Sequence, residues 1–105
     1  MPAALSRFEE PLRACALSLA GGSGWATLCL QLDTAELNVG WSGNHTQALA
    51  GAVPLLVLDM YEHSYALDYG AAAAKYVDAF FANVKWDEVQ RRHELALKAA
   101  AALAK

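Results

Sequence analysis

The residues best suited to chemistry in this sequence are an aspartate and a histidine four positions apart. Asp59 follows the apolar run at 55–58, and His63 follows Glu62. A carboxylate at the end of a buried strand costs free energy unless it is paired or binds a metal. A turn that starts a helix after the strand brings Asp59 and His63 to one side, and this ligand pair suits iron or manganese better than zinc. The alternative is that Asp59 caps a helix and His63 packs in the core, because isolated Asp-x3-His pairs are common.

The segment before these residues begins with a predicted helix. Residues 6–9 read Ser-Arg-Phe-Glu, which is the pattern of a capping box. Because this box lies close to Met1, it also predicts that the chain begins at a natural domain edge. Apolar residues recur at helical spacing as far as Leu19, and the glycines from Gly21 end the helix.

Three strands are then predicted. Residues 25–32 are apolar on both faces, residues 37–41 alternate between apolar and polar or small, and residues 53–58 form an apolar run with proline near its start. A turn at 33–35 and a loop at 42–52 separate them. Strands joined in this way favour a small antiparallel sheet.

Two helices are predicted to complete the chain, at 71–84 and 86–105. The first carries an apolar stripe that consists of Tyr76, Val77, Phe80, Phe81 and Val84. The second turns Val89, His93 and Leu103 inward, which favours a core-packing role for His93. The order of elements predicts an α+β fold with an N-terminal helix, a three-stranded antiparallel sheet and C-terminal helices. A length of 105 residues predicts a single domain over 1–105.

Composition excludes several classes of function. The net charge is −3 and the basic residues are scattered, which argues against nucleic acid and anionic membrane surfaces. The uncharged stretch 14–32 is interrupted by glycines that would break a membrane helix.

Cys15 and Cys29 lack CxxC spacing, so they are expected to be reduced and buried in a cytoplasmic protein. With 56% hydrophobic residues, the chain is more apolar than one small core requires, and a homo-oligomer is expected.

Three motifs resemble the iron/manganese superoxide dismutase family. Residues 59–65 read Asp-Met-Tyr-Glu-His-Ser-Tyr and resemble its D-x-W-E-H-x-Y-Y signature. Residues 22–25 match its G-S-G-W, and residues 76–86 are similar to its Y-hydrophobic…V-N-W segment. The motifs occur in the family's order and with its gaps, so the resemblance covers roughly 8–92. It implies the fold of the family's C-terminal domain.

The resemblance also implies roles for individual residues. Asp59 and His63 would be ligands of one iron or manganese ion per site. Glu62 would reach across a dimer interface to the ligand histidine of the other subunit, with Tyr65 at the same interface. His45 would be a catalytic residue close to the coordinated solvent, where it tunes the proton affinity and the metal potential; a solvated loop histidine is the alternative. The aromatic residues expected to pack around the site are Trp25, Tyr61 and Trp86.

The sequence departs from the family pattern at the outer parts of the site. Tyr61 replaces the motif tryptophan, Ala66 replaces the second tyrosine, and residues 69–76 lack the family's Asn, Arg and Pro. The family's site takes three histidines and one aspartate, and two of those histidines come from an N-terminal helical domain. The expected partner is therefore a separate chain that carries this helical hairpin.

The sequence leaves three functions open. The first is dismutation of superoxide to hydrogen peroxide and oxygen, once the partner supplies the missing histidines. The second is a stand-alone metal-binding protein, in which Asp59, His63 and His45 form one ligand set or two chains pool their ligands. The third is a catalytically inactive structural or interaction domain that reuses the fold.

Overall fold

The computed structural model describes residues 5, 7–19, 24–42, 51–60 and 73–103 of the chain. Their architecture is α+β, as predicted, with helices and strands in the expected order. The elements are α1 (Glu9–Ser18), β1 (Trp25–Gln31), β2 (Leu37–Ser42), β3 (Ala52–Asp59), α2 (Ala73–Ala82) and α3 (Trp86–Leu103).

The three strands form one antiparallel sheet in the order β2-β1-β3. The central strand β1 is apolar on both faces because it has a neighbour on each side and helices packed against the sheet; Leu28, Cys29 and Leu30 are all buried. The register between β1 and β3 shifts once, between Leu28 and Cys29. The strand limits agree with the predicted ones to within one residue at each end.

Helix α1 begins later than the capping box predicts. Phe8 occupies the N-cap position and makes no side-chain cap hydrogen bond, while Ser6 lies outside the described residues. The Phe8 N–H donates instead to the Leu5 carbonyl at 3.0 Å. Leu5 is fully buried, and residues 7 and 8 form a turn between it and the helix.

Helices α1 and α2 are joined by a contact that the sequence did not predict. The Arg13 guanidinium lies over the Phe81 ring, 4.8 Å from its centroid, and pairs with the Asp78 carboxylate. Phe81 and Val77 are the buried centre of the predicted stripe on α2. The Arg13 side chain therefore combines an ion pair with a cation–π contact over the core.

Helix α3 confirms most of its predicted inward face. Val89, Ala96 and Ala100 are buried and His93 is half-buried. The prediction for Leu103 was wrong, because its side chain is 68% exposed in the last turn, where the helix extends past the core.

The charges of α3 pair at both helical spacings. Glu88 accepts hydrogen bonds from Arg91 at 2.7 Å and from Arg92 at 3.3 Å. Arg91 thus pairs with Glu88 at i,i+3 spacing, and Arg92 pairs with it at i,i+4 spacing. The hydrogen bond from Arg91, supported by Arg92, lowers the pKa of the Glu88 carboxyl to about 2.

Both cysteines are free thiols, as expected. Cys29 is buried and Cys15 is half-buried, and burial raises the pKa of each thiol. The uncharged stretch 14–32 is divided between α1 and β1. Among the helices of the described residues, none combines the length and the apolar character needed to cross a membrane.

Candidate metal centre

Asp59 lies at the end of the sheet, as the last residue of β3, and is half-buried. The register places it opposite Trp25, the first residue of β1, which in turn lies opposite Ser42 at the end of β2. Directly opposed residues in antiparallel strands share one face of the sheet. Ser42, Trp25 and Asp59 therefore form one row across the three strands.

Gly24 closes this end of the sheet. Its carbonyl accepts a hydrogen bond from the Met60 N–H at 2.9 Å, which extends the pairing of β1 and β3 one residue beyond Asp59. Gly24 has a φ of +156°, and a Cβ atom on it would lie 2.9 Å from the Ser42 carbonyl oxygen. The glycine just before Trp25 is thus required by close approach of the backbone of β2.

Tyr76 ties helix α2 to the same strand end. Its hydroxyl donates a hydrogen bond to the backbone carbonyl of Asp59 at 2.9 Å. Sequence reasoning placed Tyr76 on the apolar stripe of α2 and missed this bond. The feature of the sequence that could have predicted the bond is the tyrosine itself, because the hydroxyl of a partly buried tyrosine normally finds a hydrogen-bond partner.

Trp86 opens helix α3 and packs against the core through α2. Its ring stacks on Phe81, with the ring centroids 6.5 Å apart and the planes at 21°. Phe81 also makes an edge-to-face contact with Phe80 at 5.3 Å. The register thus puts Trp25 beside Asp59, whereas the ring contact of Trp86 is with an aromatic cluster on α2. A role for Trp86 around a metal stays a prediction.

The other predicted site residues lie outside the described residues. His45 falls in 43–50, and the rest of the predicted set falls in 61–72. That set comprises Tyr61, Glu62, His63 and Tyr65.

Within the described ranges, no three side chains of His, Cys, Asp or Glu come together as a metal-binding group. The described part of the site therefore offers a single oxygen ligand, the Asp59 carboxylate. Its chemistry fits iron or manganese, which accept carboxylate together with imidazole ligands. The position of Asp59 also suits a metal ligand. Its carboxylate is half-buried, and hydrogen bonds that involve Gly24 and Tyr76 hold the backbone at this strand end.

Comparison with known proteins extends this description. A protein-family model described as "Iron/manganese superoxide dismutases, C-terminal domain" matches residues 3–92. The chain is 43% identical over 94 residues to an iron superoxide dismutase of Cupriavidus metallidurans, covering 90% of this chain and 48% of that protein. It is 42% identical over 100 residues to an iron superoxide dismutase of Aquifex aeolicus, covering 94% of this chain and 46% of that protein. A superoxide dismutase of Methylomonas named for manganese and iron is 42% identical over 94 residues, covering 89% of this chain and 46% of that protein.

The chain thus spans about half the length of the relatives it matches. The family model covers α1, the whole sheet, α2 and the first part of α3. The α+β arrangement of the described residues agrees with that domain. This chain belongs to the iron/manganese superoxide dismutase family, and the part of the family that it matches is the C-terminal domain.

Proposed function

We propose that this chain is one half of a superoxide dismutase, which converts superoxide to hydrogen peroxide and oxygen when a partner segment supplies two further histidines. The observation that carries the proposal is the position of Asp59. It ends the edge strand β3, in one row with Trp25, in a chain that belongs to this family. The relatives are named as iron, manganese or mixed superoxide dismutases, and we assign one iron or manganese ion to this site.

In this proposal Asp59 and His63 hold the ion. An iron or manganese ion bound there would supply one-electron redox chemistry between its +3 and +2 states. Asp59 provides a negatively charged oxygen ligand on a fixed backbone, while Trp25, Tyr61 and Trp86 limit the access of water. His45 holds or passes a proton near the coordinated solvent.

The proposal includes an assembly. Two copies of the chain form a dimer in which Glu62 and Tyr65 lie at the interface, close to His63 of each site. A helical hairpin segment supplies the remaining histidines. We also place the protein in the cytoplasm, where it would act as an antioxidant.

Metal content of the purified protein tests the assignment. Iron or manganese is expected near one ion per chain, lost in Asp59→Ala and retained in the matched control Asp33→Ala. Asp33→Ala removes the same side chain from an exposed turn, beyond the end of β1 that is remote from Asp59. Equal metal content in both variants would refute Asp59 as a ligand.

Activity requires a second experiment, because the chain spans only half the length of its relatives. Superoxide removal should be weak for the chain with metal alone and should rise when a helical hairpin bearing two histidines is added. Activity that is independent of such a partner would contradict the split arrangement while leaving the metal site intact.

A structural or interaction domain is the second candidate, and exposed apolar side chains favour it. Trp41 and Val57, both on the sheet, are 60% and 42% exposed. Such a domain would show the same unfolding midpoint with and without iron or manganese. If the site binds metal, the free energy of unfolding of the protein should instead rise by about 2.7 kcal/mol at a metal concentration one hundred times the Kd.

A further inference from the structure

The hydrogen bond from Tyr76 reaches Asp59, the predicted metal ligand that lies within the described residues. The Tyr76 hydroxyl lies 2.9 Å from the Asp59 carbonyl oxygen, and 17 residues separate the two in sequence. Tyr76 is packed against the core, on a helix whose neighbouring residue Val77 is fully buried. The donor therefore sits on a fixed element.

The strand pairing explains why this carbonyl is available. In an antiparallel pair, opposed residues alternate between hydrogen-bonded and non-hydrogen-bonded positions. Met60 donates to Gly24, so Asp59 and Trp25 occupy the next, non-hydrogen-bonded position. The carbonyl of Asp59 consequently points away from β1, and β3 is an edge strand of the sheet. The Tyr76 hydroxyl meets it where a further strand would otherwise pair.

We propose that Tyr76 is a positioning residue that fixes the backbone of Asp59 and thereby directs its carboxylate toward the metal. This inference rests on the proposed function for the presence of the metal ion. The hydrogen bond between Tyr76 and Asp59 does not depend on that function. The carboxylate is joined to this backbone through only two rotatable bonds. Metal–ligand distances hold to about 0.2 Å, so a small rotation of the strand end would weaken the ligand.

The expected size of the effect follows from the surroundings of Tyr76. Loss of a group that orients a metal ligand reduces metal affinity by roughly 10- to 100-fold. Tyr76 also lines an open groove of about 470 Å³ between β3, α2 and α3, together with Leu56 and Phe80. The hydrogen bond acts on the carboxylate through the backbone carbonyl. The effect of Tyr76→Phe should therefore be near the lower end, about 10-fold.

The first experiment is titration of the metal-free protein with Mn²⁺, with free Mn²⁺ measured by its electron paramagnetic resonance signal. Tyr76→Phe keeps the ring and removes only the hydroxyl, and it is expected to weaken binding about 10-fold. The matched control is Val77→Ala, which perturbs the same helix without touching Asp59 and should leave the affinity unchanged. Equal affinity of Tyr76→Phe and the unaltered protein, or equal losses in both variants, would overturn the proposal.

The second experiment needs no metal. Amide hydrogen exchange should be faster at Met60 in Tyr76→Phe than in the unaltered protein, because the end of β3 opens locally. Leu28, in the middle of the central strand, should keep its exchange rate. An unchanged Met60 rate would refute the anchoring role of Tyr76. Absence of Mn²⁺ binding in the unaltered protein would refute the proposed function instead, and the exchange result would still decide whether Tyr76 holds the backbone of Asp59.

Discussion

Replacement of Gly24 by alanine should destabilise the protein strongly, because this glycine meets two separate constraints. Its φ of +156° is rarely adopted by residues with a side chain. The added methyl group would also lie 2.9 Å from the Ser42 carbonyl oxygen and 3.2 Å from a methyl carbon of Leu19. The Leu19 side chain can rotate away, but the Ser42 oxygen is part of β2 and can only move with its strand.

The magnitude follows from treating the two constraints separately. Backbone strain of this kind costs about 1–3 kcal/mol, and forcing a methyl group into filled space costs a further 1–3 kcal/mol or so. We therefore expect Gly24→Ala to lower the free energy of unfolding by about 2–6 kcal/mol, a large part of the roughly 5–15 kcal/mol typical of a domain.

Gly51→Ala is the matched control. Gly51 has a φ of +67°, and no atom lies within 4 Å of the position that its Cβ would occupy. The control thus carries backbone strain alone, about 1–2 kcal/mol.

Urea unfolding of both variants, followed by circular dichroism, measures the difference. With a slope of about 1–3 kcal/mol per molar urea, the midpoint of Gly24→Ala should fall clearly below that of Gly51→Ala. If Gly24→Ala costs no more than Gly51→Ala, then β2 does not approach Gly24 as closely as the structure shows. In that case the row formed by Ser42, Trp25 and Asp59 would also need revision.

Three further predictions concern the helices and the thiols. Arg13→Met should lower the free energy of unfolding by about 1–2 kcal/mol, since it removes a cation–π contact as well as an ion pair. Asp78→Asn should cost less than about 1 kcal/mol, because Asp78 is 70% exposed; equal costs in urea unfolding would contradict the cation–π contact. Because the pKa of Glu88 is lowered from 4.5 to about 2, its contribution to stability is complete above pH 4.5 and is lost as the pH falls to 2. Glu88→Gln should accordingly have a lower urea midpoint than the unaltered protein at pH 7 and a much smaller deficit at pH 2, where the carboxyl is about half protonated. A deficit as large at pH 2 as at pH 7 would contradict the assignment. Cys29 should react with iodoacetamide more slowly than Cys15, because it is more deeply buried and burial raises the pKa of both thiols; a faster reaction at Cys29 would show that β1 opens readily.

The elements of this fold were readable from the sequence because each has a local cause. Period-two alternation at 37–41 and the apolar runs on either side predicted the strands to within a residue. Helical spacing at Val77 and Phe81 predicted the buried stripe of α2. The prediction failed where tertiary packing overrides a local signal. Helix α1 begins at Glu9, after a turn at residues 7–8, instead of directly after the capping Ser6, and Leu103 lies beyond the core that its spacing implied.

The candidate site divides in the same way. Sequence determined the fold class and the family and made Asp59 a candidate ligand, because residue type, spacing and motif order are properties of the chain itself. Tertiary structure alone decided that Asp59 shares a row with Trp25 and that Tyr76 holds its carbonyl. Sheet order and register bring together residues distant in sequence, and no local periodicity encodes which strand end meets which helix.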